Sequence, residues 1–441
     1  MKYRDTWLFL LLAKDISPLV RGWRCVVLFM IYGTVLGLAH YLYYSSAFDR
    51  YSTFDLKNEF GDLIEQLILA GRYQVCKEWP FPGWGFRCFV AHRLPAVPLF
   101  LAAIGKFSDS LLLASLIKNA VLFGFTGVAI AIATRDAQKV PLVAIIPVLI
   151  ILLLPYNAFT AASLEFEEGY IFHLLPAAIL AVVRMETRGD VLVAAVSLFF
   201  LVLTKSTLFV LSLALAAWGA YRAAIHLRSL TSAAVIVLSL FAACLSWGIF
   251  TAHATGKPAW GSEMSSWNGW HLYKANHPNL FTVYPRYSPD YLDLTQHSGA
   301  EDVSKDEWAL QDYYRDRGLD LILSDPWKFL VGSMHKLFIS LIEVRETAGT
   351  YEESRRFNVS MIFNRLLVLG LILLLFCRWT LRSDGIRATR QQRTDLAFIL
   401  FLSVLYLAPY LVGFVYHRHV IPLLWAISLW SMSELLLSNR Q

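Results

Sequence analysis

The sequence predicts an all-α polytopic membrane protein, and three observations predict it. Hydrophobic residues make up 57% of the chain and charged residues 16%, far from the balance of a soluble domain. Apolar runs near the length that an α-helix needs to cross a bilayer recur along the chain. Lys and Arg gather in alternate short loops, the pattern of cytoplasmic connections. The net charge of +6 is therefore accounted for without a nucleic-acid partner.

The elements follow in order. Residues 1–21 carry Lys2, Arg4, Lys14 and Arg21 around a brief apolar patch from Trp7 to Ala13. This predicts an interfacial helix on the cytoplasmic side rather than a cleavable signal peptide. About ten spans follow by hydropathy. The first is Gly22–Tyr43, with Arg21 and Arg24 at its start, then Ser110–Thr134, which returns to Arg135 and Lys139. Val140–Tyr156 goes out and Gly169–Val183 comes back to Arg184 and Arg188. Val191–Thr204 and Thr207–Tyr221 make a tight hairpin that ends at Arg222, His226 and Arg228. Ser232–Ala252 leads out, and Val359–Phe376 returns to Arg378, Arg382, Arg387, Arg390 and Arg393. Ala397–Val415 and Val420–Leu437 complete the set.

Three outward loops remain: 44–94, 157–168 and 253–357. The longest predicts a small helical cap running into an interfacial amphipathic helix over Asp325–Ile342. The chain thus divides into an N-terminal transmembrane module that includes the outer loop 44–94 (1–252), the cap with its interfacial helix (253–357) and C-terminal transmembrane helices (358–441). No internal repeat stands out, which weighs against a secondary transporter built from repeated halves.

Cys25, Cys244 and Cys377 fall inside spans, as small apolar fillers. Cys76 and Cys88 share the first outward loop. In an oxidising compartment they can form a disulfide, which contributes about 3 kcal/mol; the other reading is two free thiols. No Cys/His spacing resembles a zinc site.

Three constellations carry chemistry. The first is the acidic run Asp55, Glu59, Asp62 and Glu65. On a helix, Asp55 and Glu59 share one face and Asp62 falls on the same side. They are either ordinary surface acids or a general base whose pKa neighbouring carboxylates and partial burial would raise. The second is Glu165, Glu167 and Glu168 at the mouth of a span that contains His173, a polar cleft or a solvated helix start. The third is a set of cations: Lys118 beside Asn119 inside a span, Lys205 at the hairpin apex, Arg93 before Pro95, and Arg418. Lys205 can snorkel to the interface or, with Ser206 and Thr207, meet an anion.

In this order the segments resemble the bacterial GT-C glycosyltransferases, the superfamily of the protein O-mannosyltransferases and the lipid A aminoarabinose transferase. The residues that carry it are NEFGDLIEQLILAGRYQV with HRLPAVPLFLA, EGYIFHLL from Glu168, FLVLTKST around Lys205, WNGWHLYKANHP, SDPWKFLVGSMHKLF and HRHVIPLLWAI. The match spans nearly the whole chain. The family's usual acidic position falls here on Lys57 and Asn58, so Glu59, with Asp55 close behind, takes the base.

The resemblance implies inverting transfer from a polyprenyl-phosphate sugar to a lipid, glycan or protein acceptor, outside a bacterial inner membrane. It implies Glu59 or Asp55 as base, with Glu168 assisting. The donor phosphate would meet Lys205, Arg93, Arg418 and Lys118. Trp267, Asn268, Trp270, Tyr273 and Asn276 would shape the acceptor groove, unless these aromatics form an interfacial belt. Some members use a divalent cation, Mg or Mn. Two rivals stand beside this reading: a flippase of lipid-linked saccharides, which needs a continuous polar path, and an O-antigen-ligase-like enzyme. The charge concentrated on the outward side weighs against the first, and the carboxylate-rich first loop against the second.

Overall fold

The computed structural model describes residues 14–48, 51–53, 56, 59–78, 86–164, 166–283, 306–341, 362–363, 365–374, 390–413 and 417–437. They form a helical, multi-pass membrane protein. The first span is α1 (Gly22–Phe48). The chain then makes α2 (Phe60–Glu65), a π-helical turn (Gln66–Ala70) and an antiparallel hairpin, β1 (Val75–Glu78) with β2 (Phe86–Phe89). After α3 (Ala96–Gly105) come α4 (Leu111–Thr134), α5 (Leu142–Leu153), α6 (Pro155–Ala162), α7 (Glu168–Val183) and α8 (Arg188–Thr204). Next are α9 (Phe209–His226) and α10 (Leu230–Thr255). The cap is α11 (Asn268–Asn276) against α12 (Glu307–Ser324), followed by α13 (Pro326–Leu341). The chain closes with α14 (Arg365–Leu374), α15 (Arg390–Val412) and α16 (His417–Leu437).

Six helices among the described residues are long and apolar enough to cross a membrane, seven if the bent α5–α6 pair is one span. Their edges have local causes. Ser110 accepts from Leu113 N and starts α4. Thr187 and Asp190 form a capping box on α8, satisfying donors that a helix start leaves orphaned. Pro155 supplies no N–H and holds Leu154 extended (ψ 127°), so the predicted Val140–Tyr156 span breaks with a 69° bend. Asn157 Nδ2 donates to Ile151 O at 2.8 Å across the break.

Helices in lipid associate through close packing, because no apolar surface leaves water there. Gly37 on α1 shows this: a Cβ there would lie 2.7 Å from Ser115 O, whose hydroxyl donates to Gly37 O at 2.9 Å. Gly33, one turn earlier, meets Phe123 as tightly, with 2.6 Å to its Cβ. Every residue of α7 is buried, beneath α4, α6, α8, α9 and α16. A central helix can be short because neighbours, rather than lipid, surround it.

Among the described residues, the predicted basic loops around Arg135, Arg184 and Arg222 share one end of the bundle. There Arg135 pairs with Asp190 at 2.9 Å and Glu186 at 3.2 Å, Arg184 meets Glu434, and Arg222 donates to Val183 O at 2.8 Å. The first loop, the start of α7, the α8–α9 turn, the cap and the start of α16 meet at the other end.

Two expectations change here. The all-α expectation meets one exception among the described residues, the β1–β2 hairpin of the first loop, closed by a Cys76–Cys88 disulfide at a directly paired position. The helix predicted through Asp55, Glu59 and Asp62 begins only at Phe60. Phe60, Leu63 and Ile64 bury one helical stripe, leaving Asp62 and Glu65 exposed. Cys25 and Cys244 are buried free thiols. The N-terminal patch to Ala13, Asp55, Glu165 and Cys377 lie outside the described residues.

Candidate functional site

Glu59 occupies the left-handed region (φ 64°) immediately before α2, and its side chain caps nothing. A non-glycine residue held there stores strain that its surroundings must offset. The surroundings are cationic. Lys77 Nζ lies 2.9 Å from Glu59 Oε1, and His92 Nε2 and Arg93 Nη2 each lie 3.1 Å from Oε2. Lys77 follows the disulfide on β1, so the hairpin sets its position. Tyr73 donates to Arg93 O at 2.8 Å, and Phe60 lies under the guanidinium.

Burial pushes the Glu59 carboxyl up, but the His92 hydrogen bond and the charges of Arg93 and Lys77 win. They hold it far below the usual carboxylate range. The sequence predicts the reverse, because carboxylate neighbours would raise it. Cations from beyond the helix take their place. Burial in turn lowers the His92 imidazole to about 4, against the raising pull of Glu59.

Glu168 repeats the pattern. It opens α7 at 2% exposure, with Lys205 Nζ at 2.5 Å, His419 Nε2 at 3.2 Å and Arg418 Nε at 3.5 Å. Lys205 is extended (φ −153°) between α8 and a 3-10 turn, and that break aims its side chain at α7. It turns inward over the Tyr410 ring, where snorkelling would have sent it out. Tyr410 stacks on His419, Tyr406 donates to His419 O at 2.6 Å, and Arg418 covers Phe166.

Each unit is thus one carboxylate, one lysine and one adjacent His–Arg pair. Glu167 joins them, 3.7 Å from Arg93 Nη1 and 3.3 Å from Lys205 Nζ. Among the described residues, the network sets four permanent cations (Lys77, Arg93, Lys205, Arg418) against three carboxylates. Guanidinium and ammonium groups gathered this way suit a phosphate or another oxyanion.

The cap borders the network. The Trp267 ring meets His92 edge-on at 4.2 Å, and Asn268 Oδ1 accepts from Ser206 Oγ at 3.2 Å. Trp270 and Tyr273 are buried against Tyr314 of α12, and Asn276 donates to Leu272 O and Val412 O. Those three serve packing at the positions where an acceptor groove was expected. Lys118 also stands apart. Its ammonium donates to Ala161 O at 2.7 Å, while Asn119 donates to Ala162 O at 3.2 Å, so both cap the end of α6. His173 Nε2 donates to the same Ala161 O at 3.2 Å, which leaves Nδ1 to accept from Thr126 at 2.8 Å. That histidine is a satisfied interior residue.

A divalent cation does not fit these donors. Glu59, Glu167 and Glu168 each already face two or more cationic side chains, which a metal would have to displace. No group of three or more His, Cys, Asp or Glu that could hold a metal occurs among the described residues.

Lys77, His92, His419 and Tyr410 were missed by sequence reasoning. A signal existed for the histidines: His92–Arg93 and Arg418–His419 are adjacent pairs, each at the start of an apolar run. For Lys77 there was none. Comparison with known proteins finds no matching family model, curated protein or solved structure. The functional reading rests on the site.

Proposed function

We propose that this chain is an integral-membrane glycosyltransferase of the GT-C kind. It moves a sugar from a polyprenyl phosphate to a hydroxyl of a lipid, glycan or protein acceptor, with inversion. The observation that carries this reading is the joining of the two carboxylate–lysine–His–Arg units at Glu167. Its cationic surplus suits a phosphate, and its base candidate lies one guanidinium away.

Arg93, Lys205 and Arg418 hold the donor phosphodiester and stabilise the charge that develops as it leaves. The acceptor oxygen attacks the anomeric carbon from the opposite face. The carbon–oxygen bond to phosphate breaks, its electrons leave with the phosphate, and the acceptor proton passes to Glu59. At rest Glu59 is a weak base, because His92, Arg93 and Lys77 hold it ionised. A phosphate drawing on Arg93 loosens that hold, so Glu59 gains basicity once donor is bound. Glu168 keeps Lys205, Arg418 and His419 oriented.

In this reading α7, α8 and α14 join the seven longer apolar segments as ten spans. The arginine-rich end faces the cytoplasm, and the site faces the periplasm of a bacterial inner membrane. The test complements a deletion strain with wild type, Glu59→Gln or Lys205→Met and quantifies surface glycans and glycolipids by mass spectrometry. Wild type restores a product that both variants fail to make at equal membrane levels. Full activity in both variants overturns the reading. Lipid-linked sugar accumulating on the cytoplasmic leaflet of the deletion strain favours a flippase.

A further inference from the structure

Glu307, the first residue of α12, holds its carboxylate half-buried at the same end of the molecule. Oε2 accepts from Val90 N and Ala91 N, each at 3.1 Å, and from Ser266 Oγ at 3.2 Å. The cap adds two more bonds to this strip: Ser266 N donates to Ala91 O at 2.9 Å, and Ser265 Oγ donates to His92 O at 3.1 Å. The next two residues are His92 and Arg93, which meet Glu59. The start of α12 is itself held, since Asp306 caps Trp308 N and the Trp308 indole donates to Thr255 Oγ1 at 2.8 Å.

We propose that Glu307 is a positioning residue, anchoring residues 90 and 91 to the cap so that His92 and Arg93 reach Glu59 and the donor phosphate. The proposal rests on the glycosyltransferase reading for its ligand, but not for the anchoring itself. A neutral amide would accept the same two backbone donors, so the use of a carboxylate adds something: the anchor titrates. Burial lifts the Glu307 carboxyl to about 7, with Asp306 beside it pushing the same way and the Ala91, Ser266 and Val90 hydrogen bonds opposing. A folded-state value above that of the free chain means the closed arrangement favours the protonated form. The anchor is therefore tightest in acid and loosens as pH rises through about 7.

The experiment uses the full chain in lipid nanodiscs, with wild type, Glu307→Ala and Glu307→Gln checked for folding by thermal unfolding. Amide hydrogen exchange at residues 90–93 reports the anchor. Affinity for a short-chain polyprenyl-phosphate glucose reports the site, and its diester phosphate keeps a single charge throughout the range tested. Glu307→Ala is expected to speed exchange at 90–93 and weaken probe binding, each by about tenfold, with exchange in β1 unchanged. Glu307→Gln is expected to stay within about threefold of wild type. It should lose the wild-type decline in protection and affinity from about pH 5 to about pH 7.

Unchanged exchange at 90–93 in Glu307→Ala overturns the proposal. So does faster exchange with undiminished affinity, and so does a wild-type pH profile that persists in Glu307→Gln. If wild type ignores the probe, the donor reading fails instead, and the exchange data alone decide the anchoring role.

Discussion

Arg93 and Lys205 meet at one carboxylate: Glu167 lies 3.7 Å from the guanidinium and 3.3 Å from the ammonium. Arg93 also holds Glu59, and Lys205 also holds Glu168. Glu167 is therefore the link through which the first loop and the α8–α9 turn influence one another. A double-mutant cycle on Arg93→Ala and Lys205→Ala should show a coupling of about 1 kcal/mol or more in probe affinity. In a Glu167→Gln background that coupling should fall toward zero.

Removing Lys205 leaves Glu168 nearly buried with the weaker company of Arg418 and His419. Lys205→Met should destabilise the fold by about 3 kcal/mol, the scale for breaking a buried pair. Adding Glu168→Gln should recover part of that loss, because no uncompensated charge then remains. Thermal unfolding of the two variants beside wild type decides it.

At Glu59 the backbone and the side chain make opposite predictions. Glycine relieves the left-handed strain (φ 64°), typically worth about 1 kcal/mol, but removes the carboxylate. Glutamine keeps the strain and the size while losing the charge. Glu59→Gly and Glu59→Gln should both lose product formation. Only a retained carboxylate, as in Glu59→Asp, should keep measurable turnover.

His92 sets an acid limit. Its imidazole falls from 6.5 to about 4 on folding, chiefly through burial. The stability this neutral form contributes is fully present above 6.5 and is lost as pH falls through about 4. Glu59 stays ionised across that window, because its own value lies lower still. Unfolding temperature measured against pH should drop more steeply below 6.5 in wild type than in His92→Gln.

The Cys76–Cys88 bond closes the hairpin next to Lys77. Cys76→Ser with Cys88→Ser should cost about 3 kcal/mol against local opening. Hydrogen exchange in 75–89 should rise first, and probe affinity should fall with it as Lys77 loses its fixed place. Unchanged exchange after reduction would separate the disulfide from the site.

Much of the frame was legible because its causes are local. Gly22–Tyr43 could be read from apolar length alone, and the start of α4 at Ser110 follows from a capping hydroxyl. Lys205, Arg93, Arg418 and Glu168 stood out because each is a charge beside an apolar run. Glu59 was misread in its electrostatics. Its neighbours along the chain are acids, while its partners in space are 18, 33 and 34 residues away. Lys118 looked like an anion ligand, but the Pro155 break places the open end of α6 against it.

By itself the sequence determined that the chain is helical with several segments apolar enough to cross a membrane, and that charges gather beside the ends of those segments. Hydropathy, capping and loop charge act over a few residues, and so they are written in order along the chain. Only the tertiary structure decided which cation faces which carboxylate, that Glu167 joins the two units, and that Glu307 holds the strip carrying His92 and Arg93. Those contacts depend on helix tilt, a broken span and a hairpin crossing, and electrostatic energy depends on distance in space, whatever the separation in sequence.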